Sequence, residues 1–246
     1  MMRGNLRTKV IQKLVEINER LIFYPKLNRF YSEELKGRSL SIIDVGSNKG
    51  QSIDFFLKID QACSVFGFEP NKNLFNMLVN KYHGNGNIVL ANKGISSRDG
   101  SLIFYENIMD ETSSFEELNY ESEYLRKKAK VLGVAPRDIV KGSYEVEVTT
   151  LAHFLQQHEG IFFDVLKIDV EGHELQSLQG LFSGEQETSY PIRFIQIESH
   201  NDDMYKNGSR QLEIGQLLQR NGFLPKAQIK HGFGDFFEII YENNNL

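Results

Sequence analysis

The 246-residue chain is long enough for one generous α/β domain, and its 40% hydrophobic and 25% charged residues exclude wholesale disorder. Its single cysteine, Cys63, excludes an intramolecular disulfide and a zinc site built from several thiolates, which suits a reducing compartment. Residues 1–36 carry 8 Lys/Arg against 4 Asp/Glu and the rest 20 against 29, so the body is acidic and no nucleic-acid partner is expected.

No apolar run approaches the roughly 20 residues that a membrane helix needs. Lys13, Glu16, Glu19 and Arg20 interrupt the N-terminal apolar residues, so no signal-peptide core is expected and the default is cytoplasmic. Val10, Leu14, Ile17, Leu21 and Ile22 recur at helical spacing and predict an amphipathic helix over 6–22. Pro25 and a mixed polar stretch to Gly37 separate that helix from the rest of the chain. This divides the protein into a helical extension, 1–36, packed on a main domain, 37–246, with the basic residues of the extension on a solvated helix face in preference to the alternative, contact with an anionic membrane or partner.

From Ser39 onward strands and helices alternate. Strands are predicted at 40–45, 64–69 and 87–91, with helices around Ile53–Leu57 and after Pro70-Asn71. This βαβαβ order implies a parallel sheet with helices on both faces. The middle breaks the rhythm: 101–106 and 144–149 alternate like strands, and Glu116–Leu132 reads as a charged helix within an insert at about 110–143, the kind of excursion found near substrate mouths. Strands at 164–169 and 192–198, helices at 173–182 and 211–220, and a terminal pair of aromatic-rich strands at 223–229 and 236–241 complete the pattern.

The strongest chemical signal is Asp44-Val45-Gly46-Ser47-Asn48-Lys49-Gly50, between the first strand and its helix. Gly46 and Gly50 allow a tight turn and a close ligand approach. A dinucleotide fingerprint would place glycine at position 44. Asp44 there repels a pyrophosphate but attracts a sulfonium or an α-amino group, which points to S-adenosylmethionine. Glu69 ends the second strand, where a carboxylate accepts both ribose hydroxyl hydrogens. Neither a nucleophile elbow nor a P-loop lysine is present, and Cys63 has no histidine signature near it.

The ordered set Asp44–Gly50, Phe68-Glu69-Pro70, Gly94-Ile95-Ser96, Val148–Leu151 and Leu166-Lys167-Ile168-Asp169-Val170-Glu171-Gly172-His173-Glu174 resembles the FkbM methyltransferase family. Ser113-Ser114-Phe115 approximates another of its motifs. The resemblance implies a class I methyltransferase fold: a mostly parallel seven-stranded sheet with an antiparallel strand near the C-terminus. It also implies an O-methyltransferase, acting on a small-molecule, sugar or glycan acceptor, with Asp44, Gly46, Ser47, Asn48, Gly50, Glu69 and Asp169 around the cofactor.

Lys167, Asp169 and Glu171 alternate along a buried-type strand, an arrangement tolerable only at its carboxyl end, where open α/β sheets bind ligands. Glu198 and His200 end the next strand. Asp169, Glu171, Glu198 and His200 thus form a candidate catalytic floor with three open roles: a general base for the acceptor hydroxyl, ligands of a divalent metal, or a structural cluster in which Lys167 neutralises Glu171. No metal is assigned. His173, in the first turn of a helix, is expected at the surface, and His83, His153, His158 and His231 have no partner pattern. Two other functions remain on the same sheet, an NAD-dependent oxidoreductase and a non-catalytic binding module. The pattern signals no oligomeric state.

Overall fold

The computed structural model describes residues 10, 13, 14, 17–184, 190–199, 203–206, 208, 210–231 and 236–246. Its main sheet has strands β1 (Ser41–Val45), β2 (Ser64–Phe68), β3 (Ile88–Ala91), β7 (Phe163–Ile168), β8 (Ile192–Ser199), β9 (Phe223–Lys230) and β10 (Phe237–Asn243). They lie in the order β3-β2-β1-β7-β8-β10-β9, and only β10 runs antiparallel to its neighbours. This is the predicted class I methyltransferase sheet.

Strand register explains where the site lies. On one face, Ile42, Val165 and Phe194 are aligned across β1, β7 and β8, in the middle of an apolar core. Two residues further along, the same face carries Asp44, Lys167 and Gln196, then Asp169, Glu198 and its cross-strand partner Glu238. The alternation that keeps one face buried therefore turns polar as the parallel strands reach their carboxyl ends. The opposite face stays apolar, with Ile43, Val45, Leu166, Ile168, Ile195 and Ile197 in a second core. Helices α5 (Leu151–Gln157), α6 (Glu174–Leu181) and α7 (Gln211–Arg220) cover it.

The polar face is covered by α1 (Tyr24–Glu34) and α2 (Gln51–Ile59), whereas α3 (Lys72–Lys81) follows β2. Here the N-terminal expectation needs correction. The described residues between 10 and 18 are helical, but Val10, Leu14 and Leu21 are 52%, 57% and 70% exposed, so that apolar stripe is not what packs. Packing falls instead to Phe23, Leu27, Tyr31 and Leu35, in the stretch predicted to be a polar spacer. Pro25 does not break the helix because it sits in the first turn of α1, where no backbone N–H is needed. A π-helical turn over Glu19–Phe23 leads into it. Burying each of these side chains stabilises the fold by about 1.5–3 kcal/mol.

The middle strands form a separate three-stranded sheet, β4-β6-β5, from β4 (Gly94–Ile95), β5 (Gly100–Asn107) and β6 (Val140–Thr149). The predicted insert helix is shorter than expected. Only α4 (Glu123–Leu132) is helical, because the Ser122 hydroxyl accepts from Leu125 N and sets its start. The segment before it stays irregular while Glu116 turns inward. Leu118, Leu125, Ala129, Ile139, Met204 and Tyr205 give the insert a small core of its own. No helix among the described residues is long and apolar enough to cross a membrane.

Candidate active site

A cavity of about 390 Å³ opens where the strands turn polar. Its walls come from the 46–48 loop, the end of β2, the β7 to α6 loop, the ends of β8 and β10, the N-terminal π-turn and the insert.

The first loop is tied to the end of β2. Gly46 N and Ser47 N donate to Phe68 O, Asn48 N to Glu69 Oε2, Lys49 N to Gln51 Oε1 and Gly50 N to Ser47 O. Five successive amides are thus spent inside the protein, and no cradle for a phosphate remains. Both glycines are required by packing, and Gly46 also lines the cavity. A Cβ on Gly46 (φ +85°) would fall 1.9 Å from the Asp169 carbonyl oxygen, and one on Gly50 (φ +80°) 2.3 Å from the Tyr82 hydroxyl. Gly50 does not line the cavity. Asn48 does, with φ +46° and a buried Oδ1 that meets no partner among the described residues.

Glu69 lines the cavity at 4% exposure. Its Oε2 accepts from Asn48 N and its Oε1 from Asn71 N, both at 2.7 Å, and Asn71 in turn caps α3. Burial raises its pKa to about 7 against the pull of those two amides. Asp44 is fully buried and lies outside the cavity wall, with the Ser47 and Ser52 hydroxyls beside its carboxylate but neither in good hydrogen-bond geometry. Burial raises its pKa too, with the Lys167 charge opposing.

Asp169, Glu171 and Glu198 converge, with one carboxylate oxygen from each within 4.8 Å of the others. Lys167 pairs with Asp169 at 2.8 Å and not with Glu171. Burial works against the Lys167 ammonium, but Asp169, Glu238 and Asp44 outweigh it and hold its pKa well above the usual value. Glu171 lies past the end of β7 in a left-handed turn, φ +54°, an uncommon conformation for this residue type. That turn is held from three sides. Glu174 Oε1 accepts from Val170 N and Gly172 N, the Ser114 hydroxyl donates to Glu171 O at 2.7 Å, and the single hydroxyl hydrogen of Tyr205 is shared between Thr112 O at 2.9 Å and Glu171 Oε2 at 3.1 Å. His200 lies outside the described residues.

Two histidines depart from expectation. His173 is buried at 4% exposure, its ring held between Ser96 Oγ (2.9 Å) and Glu116 Oε1 (2.8 Å), so it ties the insert and β4 to the start of α6. The neighbours that bury it are remote in sequence and gave no local signal. His231, to which the sequence assigns nothing, lines the cavity with Glu19, Gln196 and Glu238. It stacks on Phe23, ring centroids 4.0 Å apart. These residues come from the π-turn and from β8, β10 and the end of β9, and no contiguous motif joins them.

The likeness to known proteins agrees with this geometry. Over 158 residues the chain is 27% identical to the hexuronic acid methyltransferase of Haloferax volcanii, covering 64% of this chain and about half, 54%, of that relative's length. The magnesium protoporphyrin IX methyltransferase of Synechocystis PCC 6803, solved with bound S-adenosylmethionine, superposes with a TM-score of 0.51 at 12% identity, over 94% of this chain and 82% of that one. It has the same fold. The profile of the Methyltransferase FkbM domain matches residues 44–225, from the first loop into β9, and the chain belongs to that family.

Proposed function

We propose that the protein transfers a methyl group from S-adenosylmethionine to a hydroxyl of a small-molecule, sugar or glycan acceptor. One observation carries the cofactor half: the five spent amides of the 46–50 loop beside the carboxylate of Glu69. A nucleoside can be gripped there through its ribose, since each Glu69 oxygen keeps a lone pair after its backbone bond. A pyrophosphate would find no free backbone donor in that loop and would face Glu69 and Asp169, which weighs against a nicotinamide dinucleotide. Asn48 Oδ1 is a further acceptor on the same wall. Asp44, beneath the loop, acts through its field and through Lys167 rather than by touching a ligand.

When bound, the cofactor supplies a methyl group already activated on a sulfonium. The chain then has to align the acceptor oxygen opposite sulfur, exclude water and take the hydroxyl proton. Asp169, Glu171 and Glu198 are the groups for that proton, with His200, which follows β8 in the sequence, as a fourth. Lys167 fixes the Asp169 carboxylate at the cavity wall. The strained Glu171 turn, held by Ser114, Glu174 and Tyr205, keeps the cluster in one geometry.

The test is transfer of labelled methyl from S-adenosylmethionine to a panel of hydroxylated metabolites and glycans, with the attachment atom identified in the product. Label on oxygen is expected. Label on nitrogen or carbon, or no transfer to any acceptor by cofactor-loaded protein, would overturn the O-methyltransferase reading.

A further inference from the structure

We propose that the end of the cavity over β8, β9 and β10 is the acceptor's recognition subsite, which holds a sugar-like ring through its donor hydrogens, hydroxyl or ammonium, and turns away a ring carboxylate. This rests on the methyltransferase reading and adds to it a substrate class.

Two buried side chains on this wall carry polar atoms that nothing in the described protein satisfies. Gln196 is 1% exposed, and its Oε1 accepts from the Tyr31 hydroxyl at 2.6 Å while its Nε2 has no partner. Glu238 is 2% exposed, and its Oε2 has none. Buried polar groups are normally paired, so an unpaired donor and an unpaired acceptor on one cavity wall point to a ligand with both functions, as hydroxyl groups have. His231 adds a third. Its Nε2 lies 4.0 Å from Glu198 Oε1 and 3.8 Å from Glu238 Oε1, and its Nδ1 3.9 Å from Glu19 Oε1, all beyond hydrogen-bond length. Phe23, Tyr24 and Phe236 supply aromatic surface on the same cavity, suited to the apolar faces of a sugar ring.

Charge narrows the class. Glu19, Asp169, Glu171, Glu198 and Glu238 line this part of the cavity against Lys167, His231 and Lys128, and Lys128 is turned onto the Met204 sulfur and the Tyr124 ring. Burial raises the Glu19 pKa to about 7, yet the balance is negative even with Glu19 neutral and His231 protonated, four carboxylates against three cations. A ligand carboxylate would be repelled in so enclosed a space, whereas hydroxyl or ammonium hydrogens would be attracted. The Haloferax relative is named for a hexuronic acid, and the charge here opposes that acceptor. Position fits as well. Four strand spacings separate β2 from β10, about 19 Å, which places the subsite beyond the nucleoside end and next to the carboxylate cluster.

The full chain saturated with S-adenosylhomocysteine would be titrated calorimetrically, with chelator present, against methyl glucoside, methyl glucosaminide and methyl glucuronide. The glucoside and the glucuronide differ only in a hydroxymethyl against a carboxylate. The glucoside and glucosaminide should bind about tenfold or more tightly than the glucuronide. A glucosaminide ahead of the glucoside assigns ammonium, and parity assigns hydroxyl. Glu238→Gln should weaken the glucoside and narrow its lead over the glucuronide, with S-adenosylhomocysteine affinity unchanged as the folding control. Glu19→Gln, at the rim, should narrow the same lead if Glu238→Gln does not fold. Equal binding of glucuronide and glucoside, an unchanged lead in both variants, or no glycoside binding by the loaded protein would overturn the subsite. Failure to bind S-adenosylhomocysteine at all is a different result and would overturn the methyltransferase reading beneath it.

Discussion

At the β1 and β2 end of the cavity, the loop amides and Glu69 satisfy one another before any ligand arrives. At the β8 and β10 end, Gln196 and Glu238 keep buried polar atoms without partners among the described residues. At the first end the backbone donors are already bonded and the open group is an acceptor, Asn48 Oδ1, so a ligand there has only to bring donor hydrogens. The second end has open valences and a negative field, so its ligand must bring the missing donors and acceptors. The acidic cluster Asp169, Glu171 and Glu198 lies between the two. A change at either end should therefore register in a different measurement.

The largest effect is expected between the ends. Asp169→Asn keeps the shape but removes the charge and basicity, and should slow methyl transfer by about 10²–10⁴-fold while cofactor affinity changes little. Chelation separates two versions of the cluster: activity that survives chelator supports a base, whereas activity lost and regained with Mg²⁺ or Mn²⁺ supports a metal. If Asp169→Asn turns over normally while Glu198→Gln is inactive, the proton belongs to the fifth strand of the parallel series. Normal turnover in both would make the cluster structural.

Gly46→Ala tests the frame itself. The new Cβ meets the Asp169 carbonyl at 1.9 Å in a left-handed backbone, so about 2–3 kcal/mol of stability should be lost, seen as a lower denaturant midpoint. A wild-type midpoint would mean that the two loops are less tightly joined than the structure has them.

Glu69→Gln should cost about 1.5–3 kcal/mol of cofactor affinity through its charge-assisted bonds. Its pH dependence has a definite sign. Burial raises the Glu69 pKa to about 7 in the free protein, and ribose hydroxyls donate to the ionised form. Affinity should therefore rise as pH climbs through 7, and this slope should be missing in Glu69→Gln. A Glu69→Gln protein with wild-type affinity at pH 8 would reduce Glu69 to a helix-capping acid. The smallest effect is Tyr205→Phe. Losing the hydroxyl that Thr112 O and Glu171 Oε2 share should cost about 1 kcal/mol of stability and lower the turnover rate more than cofactor affinity.

The contrast between the ends also explains what the sequence discloses. The sheet was legible because apolar alternation and glycine turns are local, and the cofactor loop because Asp44–Gly50 is contiguous. The fate of the loop amides was not, since Phe68 and Glu69 satisfy them from another strand. His173 was misplaced because Ser96 and Glu116 reach it from 77 and 57 residues away. The acceptor wall was invisible for the same reason: Glu19 comes from the π-turn and Gln196, His231 and Glu238 from three different strands or their ends, and only tertiary packing unites them. Pro25 misled because a proline ends a helix in its interior but suits its first turn.

The most direct test of the cofactor assignment is calorimetric and thermal: S-adenosylmethionine, S-adenosylhomocysteine and NADH, each titrated into the purified chain. Both sulfur nucleosides should bind and raise the melting temperature, adding about 2.7 kcal/mol of stability at a hundredfold excess over Kd, and NADH should do neither. NADH binding with no response to either sulfur nucleoside at millimolar concentration would contradict the assignment.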